Sequence, residues 1–131
     1  MEPQINADER RLNGLTEKII GCAYAVANGL GSGFLERVYE NAMRIELKRA
    51  GLNVFQQQAI PVKWRGEVVG DYYADLLVED SVIVELKAIK ALDDVHVAQA
   101  LNYLKATGLK ICLLLNFGKP QIEIRRVVNE L

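Results

Sequence analysis

The chain has 131 residues, half of them hydrophobic, with 16 Lys and Arg against 17 Asp and Glu. That length supports one domain over residues 1–131 and is too short for two ordinary ones. The near-neutral balance and a pI of 5.9 exclude a global positive field that would draw in a polyanion, so nucleic-acid binding would need a local patch.

Met1 to Asn13 is polar and charged without an apolar signal region, and no later run approaches the roughly 20 apolar residues of a membrane span. The expectation is a soluble, cytoplasmic protein with no membrane partner, flexible over residues 1 to about 11. A first helix is predicted from near Leu12 to Thr16 as far as Asn28, with Leu15, Ile19, Cys22, Ala23 and Val26 as its apolar stripe and Gly29 and Gly31 as its stop. Ser32 or Gly33 would cap a second helix over 34–50, striped by Leu35, Val38, Ala42 and Ile45. On it Glu36 and Tyr39 lie three apart, close to the N-terminus and on one face.

A first strand is predicted over 53–64, where Pro61 argues for a sheet edge. Arg65-Gly66 turns the chain into a second strand over 67–78, and a third follows over 81–89. A third helix begins at Asp93 or Asp94, both good caps, and runs to Thr107 with Gly108 as its stop. Its stripe is Val95, Ala98, Leu101 and Leu104, while His96, Gln99 and Tyr103 share another face. His96, the one histidine, reads as a surface or capping residue. The almost wholly apolar 110–117 predicts an interior fourth strand, and 121–128 a fifth. Cys22 and Cys112 sit in apolar runs without metal-ligand spacing and read as small core residues in a reducing compartment. The fold class is therefore α/β with a mixed sheet: a helical hairpin, a three-strand meander, a crossover helix and two further strands.

The second and third strands carry the chemistry. If their turn is the three residues 79–81, Val78 faces Val82 and Asp75 faces Glu85, while Glu85 and Lys87 project to one side with Ile83. A turn of two or four residues would instead put Asp75 and Glu85 on opposite faces. Charges on a hairpin usually mark a solvated face. Here Val82 to Ile89 is apolar everywhere except 85 and 87, so both faces of the strand read as covered. Two carboxylates opposed at about 5 Å repel unless something positive lies between them, and a divalent cation would serve.

The run Gly33-Phe34-Leu35-Glu36-Arg37-Val38-Tyr39 resembles the signature of the bacterial GxxExxY family, a branch of the PD-(D/E)xK nuclease superfamily. Ala74-Asp75-Leu76-Leu77-Val78, Ile83-Val84-Glu85-Leu86-Lys87, Gln99-x-x-x-Tyr103 and Asn116-Phe117-Gly118 support the resemblance, which covers nearly the whole chain. It implies a restriction-endonuclease-like core and a metal-dependent nuclease acting on nucleic acid, DNA in preference to RNA. Asp75 and Glu85 would hold Mg²⁺ or Mn²⁺ with the backbone carbonyl of Leu86, and Glu36 would reach the same metal from the helix above. Lys87 would orient the attacking water and stabilise developing charge, with Gln99 and Tyr103 binding phosphate or water. Family members often carry a histidine where this sequence has Ala27. Two other readings compete: a non-catalytic binding or assembly module on the same fold, and a phosphohydrolase of small nucleotides. Basic residues are dispersed over several elements, so a homodimer is expected to concentrate them, paired through the Pro61 edge or the strand around Ile122 and Ile124.

Overall fold

A computed structural model describes residues 6–129. Its elements are α1 (Ala7–Leu30), α2 (Glu36–Arg49), β1 (Val54–Trp64), β2 (Glu67–Val78), β3 (Val82–Lys87), α3 (Asp94–Thr107), β4 (Ile111–Asn116) and β5 (Glu123–Val128). The strands form one sheet in the order β1-β2-β3-β4-β5, with β3 and β4 parallel and every other neighbouring pair antiparallel. This is the α/β mixed sheet that the pattern predicts. The parallel pair needs a crossover, which α3 supplies. Pro61 lies on β1, an edge strand, where its missing N–H breaks no interior ladder.

Strand alternation divides the core into two layers. Leu76, Val78, Val82, Val84, Leu86 and Leu113 pack beneath α1 and α2, together with Ile19, Met43 and Leu47. Ile83, Cys112 and Leu114 face the other way, against Ala100, Tyr103 and Leu104 of α3. Each large apolar side chain enclosed in this way contributes about 2 kcal/mol. β3 is buried at every position from Val82 to Leu86. Cys22 and Cys112 are free and buried, as expected.

Four local readings are corrected. α1 begins at Ala7 rather than near Leu12, because the Asn6 side chain caps it by accepting from the Glu9 N–H at 2.8 Å. Asp8 in its first turn also pairs with Lys110 Nζ at 2.9 Å. The flexibility expected for residues 1–5 lies outside the described residues. At α2 the cap is Leu35, without a side-chain bond, and not Ser32 or Gly33. The buried stripe of α2 is Tyr39, Glu40, Met43 and Leu47, while Leu35, Val38 and Ile45 stay exposed. Tyr39, Met43 and Leu47, spaced four apart, form the stripe that meets the core, anchored by the stacking of Tyr39 on Phe117. In α3 the buried residues are Ala100, Tyr103 and Leu104, and Val95 and Ala98 face outward.

Two features fix the ends of the central strands. Asn116, fully buried at the end of β4, accepts from the Ile89 and Gly118 N–H groups and donates to Ile89 O and Glu123 Oε1, all at 3.0–3.1 Å. Gly118 lies so close to the chain beyond β3 that a Cβ there would stand 2.3 Å from the Ile89 backbone. Together they clasp the segment that follows Lys87.

Candidate functional site

The β2–β3 turn settles the register. Val78 pairs with Val82, Leu77 with Ile83 and Leu76 with Val84, and the ladder ends there, one position short of Asp75 and Glu85. Asp75 Oδ2 accepts from the Leu86 N–H at 2.9 Å, which fixes the carboxylate against β3. Glu85 lies on the α3 side of the sheet with Ile83, only 6% exposed, and its Oε1 is buried without a hydrogen-bond partner. Burial pushes the Glu85 carboxyl up to about 10; a hydrogen bond to Asp75 and the Asp75 charge add to this, and Lys87 opposes it. Desolvation is thus the larger cause, ahead of the repulsion between the two acids.

The other expected site residues take distinct positions. Lys87 is half-buried two residues beyond Glu85. Leu86 is fully buried between them. Tyr103 is buried on α3 and receives a hydrogen bond from Gln99 Nε2 at 3.1 Å, leaving Gln99 on the exposed side. Burial raises the Tyr103 hydroxyl to about 12, with Glu85 and Asp75 as the next causes, so α3 borders both acids. Glu36 sits exposed in the first turn of α2, its carboxyl raised first by partial desolvation and then by Asp75, and lowered by Lys87. It lies within range of the site's charges. Among the described residues, however, no group of three His, Cys, Asp or Glu is arranged to hold a metal ion. The structure therefore assembles the Asp75–Glu85 pair and leaves Glu36 beside it.

The Gly33 to Tyr39 motif has a clear local logic. Gly33 has φ 113, open to glycine alone at low cost. The Tyr39 hydroxyl donates to Gly31 O at 2.7 Å and accepts from the Phe34 N–H at 3.2 Å, and its ring stacks on Phe117 at 4.6 Å. Tyr39 thus pins the α1–α2 loop and presents Glu36. Ala27 is half-buried, with its carbonyl accepting from the Gly31 N–H at 2.9 Å. His96 accepts from the Asp93 N–H at 3.0 Å and closes a capping box, the role its position suggested.

Sequence reasoning missed Glu40 and Gln57. Glu40 is 2% exposed and accepts from Gln56 Nε2 and, at 3.0 Å, from Gln57 Nε2. Gln57 Nε2 also reaches Asp75 Oδ1 at 3.3 Å. Both partners only accept, so the amide nitrogen must face them. Gln57 adopts φ 54 in the middle of an edge strand, a conformation that costs a non-glycine residue about 1 kcal/mol or more. The hydrogen bonds across α2, β1 and β2 hold it there. Two signals in the sequence pointed this way: three consecutive glutamines in a strand, and Glu40 four residues after Glu36 on one helix face.

An acid with a bare buried oxygen beside a second acid fits a hard divalent cation that completes its shell with water. Among solved structures, an alkaline exonuclease (LHK-Exo) from Laribacter hongkongensis is similar at TM-score 0.53 and 13% identity, over 98% of this chain and 73% of that one. SSO0001 is similar at TM-score 0.56 and 18% identity, over 93% of this chain and 61% of its own length. At such identities the likeness concerns the fold, which is of the restriction-endonuclease type. Comparison with curated proteins gives no match. The sequence pattern of the PD-(D/E)XK nuclease superfamily spans residues 13–127, from within α1 into β5, and this chain belongs to that superfamily.

Proposed function

We propose that this protein is a metal-dependent nuclease of the GxxExxY branch, a single cytoplasmic domain that pairs as a homodimer and hydrolyses phosphodiester bonds in nucleic acid, DNA in preference to RNA. The observation that carries the reading is the buried, unpartnered Glu85 Oε1 beside Asp75. A carboxylate so enclosed is tolerated where a cation uses it. Asp75, Glu85 and the Leu86 carbonyl would hold Mg²⁺ or Mn²⁺, which when bound supplies Lewis-acid activation of the phosphate and its attacking water. Lys87, on the same face as Glu85, places its ammonium beside that phosphate and stabilises the charge that builds on it. Glu36 orders water at the α2 side of the site. Gln99 and Tyr103 act as a linked pair from α3, the amide donating to the hydroxyl and leaving the hydroxyl proton free for a phosphate oxygen. The alkaline-exonuclease neighbour supports this class of reaction.

The test separates chemistry from metal binding. Lys87→Ala should leave Mn²⁺ affinity nearly intact, since an ammonium is no ligand, yet cut cleavage by about 10². Titration calorimetry and cleavage of single-stranded, duplex and RNA substrates read the two effects. Full cleavage by the variant would rule out the role of Lys87, and metal binding without any cleavage by the wild type would leave a binding or assembly module. Light scattering at micromolar concentration tests the dimer, which a strict monomer would exclude.

A further inference from the structure

A groove of about 1270 Å³ runs between the β1–β2 ribbon and α3, and it includes Gln99 and Tyr103. Tyr103 is the link to the acid pair, because its hydroxyl is raised in part by the charges of Glu85 and Asp75 while its side chain also lines the groove. Its walls suit one class of ligand. Tyr72 is 49% exposed, with its ring 5.9 Å from that of Tyr103 and tilted by 55°. Gly70 makes room for it, since a Cβ there would stand 3.3 Å from the Tyr72 ring. Lys63 on β1 and Lys105 on α3 contribute a cation from each wall, against one acid, Asp80. Asn102 adds a side-chain amide able to donate and accept.

We propose that this groove holds a single unpaired nucleic-acid strand, with Tyr72 as a platform on which a base stacks and Lys63 and Lys105 flanking the phosphates. The proposal rests on the nuclease reading and supplies its substrate class. In a duplex the bases are stacked on one another and the phosphates face outward, so an aromatic wall inside an apolar groove would find no partner. In a single strand each base offers a free face, and stacking on an aromatic side chain needs no particular sequence. A cation on each wall and an aromatic side chain between them match a charged backbone carrying flat apolar bases.

Fluorescence anisotropy of metal-free protein in EDTA tests this without cleavage, using labelled oligothymidylate and a duplex of equal length. Single-strand binding should be at least about 10-fold tighter than duplex binding, and Tyr72→Ala should weaken it roughly 5- to 150-fold, the range found when one stacking contact is removed. Tyr72→Phe should retain affinity, which guards against a folding defect. Lys63→Ala should lower the salt dependence by about one phosphate contact. Unchanged binding by Tyr72→Ala would overturn the proposal, as would equal affinity for duplex. So would a dimer that Tyr72→Ala dissociates without altering oligonucleotide affinity, because the groove would then seat a second copy of the chain. Failure of the nuclease reading looks different: Tyr72-dependent strand binding would persist while no cleavage occurred with Mg²⁺ or Mn²⁺.

Discussion

Asn116 on β4 and Glu85 on β3 are both polar side chains enclosed by the sheet, 0% and 6% exposed, yet the fold treats them in opposite ways. Asn116 has four hydrogen bonds, to both backbone groups of Ile89, to Gly118 and to Glu123. Glu85 keeps one buried oxygen without a partner. A buried amide with every group satisfied stiffens the structure around it, whereas a buried acid left incomplete stays in the fold at a cost. The two also cooperate. Asn116 pairs with Lys87 across the β3–β4 ladder and clasps the backbone just beyond it, so the satisfied residue holds the exit of the strand that carries the unsatisfied one.

Three substitutions break or sharpen that contrast. The largest effect on stability is expected for Asn116→Ala, which strands the Ile89 N–H, the Ile89 carbonyl and the Gly118 N–H and should cost about 3 kcal/mol. Urea denaturation reads it directly, and a loss below about 1 kcal/mol would show that water replaces the clasp.

Next comes Glu85→Gln, which should act in the opposite direction. The carboxyl rises from an ordinary 4.5 to about 10 in the folded protein, so the folded state keeps a proton that the unfolded chain releases. Stability of the metal-free protein is therefore whole below about 4.5 and is lost as pH rises towards about 10. Gln mimics the protonated acid and should remove that slope, raising stability at pH 8 by about 2 kcal/mol while changing little at pH 4. Melting curves in EDTA across this range decide the matter. A variant that is less stable than wild type at pH 8 would mean that Glu85 is a satisfied structural acid after all.

Gln57→Gly should have the smallest effect on folding. It relieves the φ 54 strain and removes the bonds to Glu40 and Asp75, two changes of opposite sign that should cancel to within about 1 kcal/mol. Mn²⁺ affinity should nevertheless fall about 10-fold, because Asp75 loses the group that orients its Oδ1. Unaltered affinity by calorimetry would assign Gln57 to structure alone.

Much of this arrangement was legible beforehand. Two apolar strands around Glu79-Asp80-Ser81 implied a hairpin but left its turn length open, and the structure chose the three-residue turn that pairs Val78 with Val82. The apolar run of Val82 to Ile89 implied a strand covered on both faces, and the α3 crossover implied a parallel partner for it. The helix faces were less legible. In α2, Leu35, Val38 and Ile45 compete with Tyr39, Met43 and Leu47 for the inside, and periodicity supports both sets.

The sequence by itself determined the order of the elements, the sheet's interior strands and the shared face of Glu85 and Lys87, because these depend on spacing within a segment or between neighbouring ones. Only the tertiary structure decided which oxygen of Glu85 lacks a partner, that α2 turns Glu40 toward the sheet, and that Gln57 leaves normal strand geometry to join Glu40 to Asp75. Those outcomes depend on groups 17 or more residues apart meeting in a crowded interior, where packing selects one arrangement among several that local pattern allows equally.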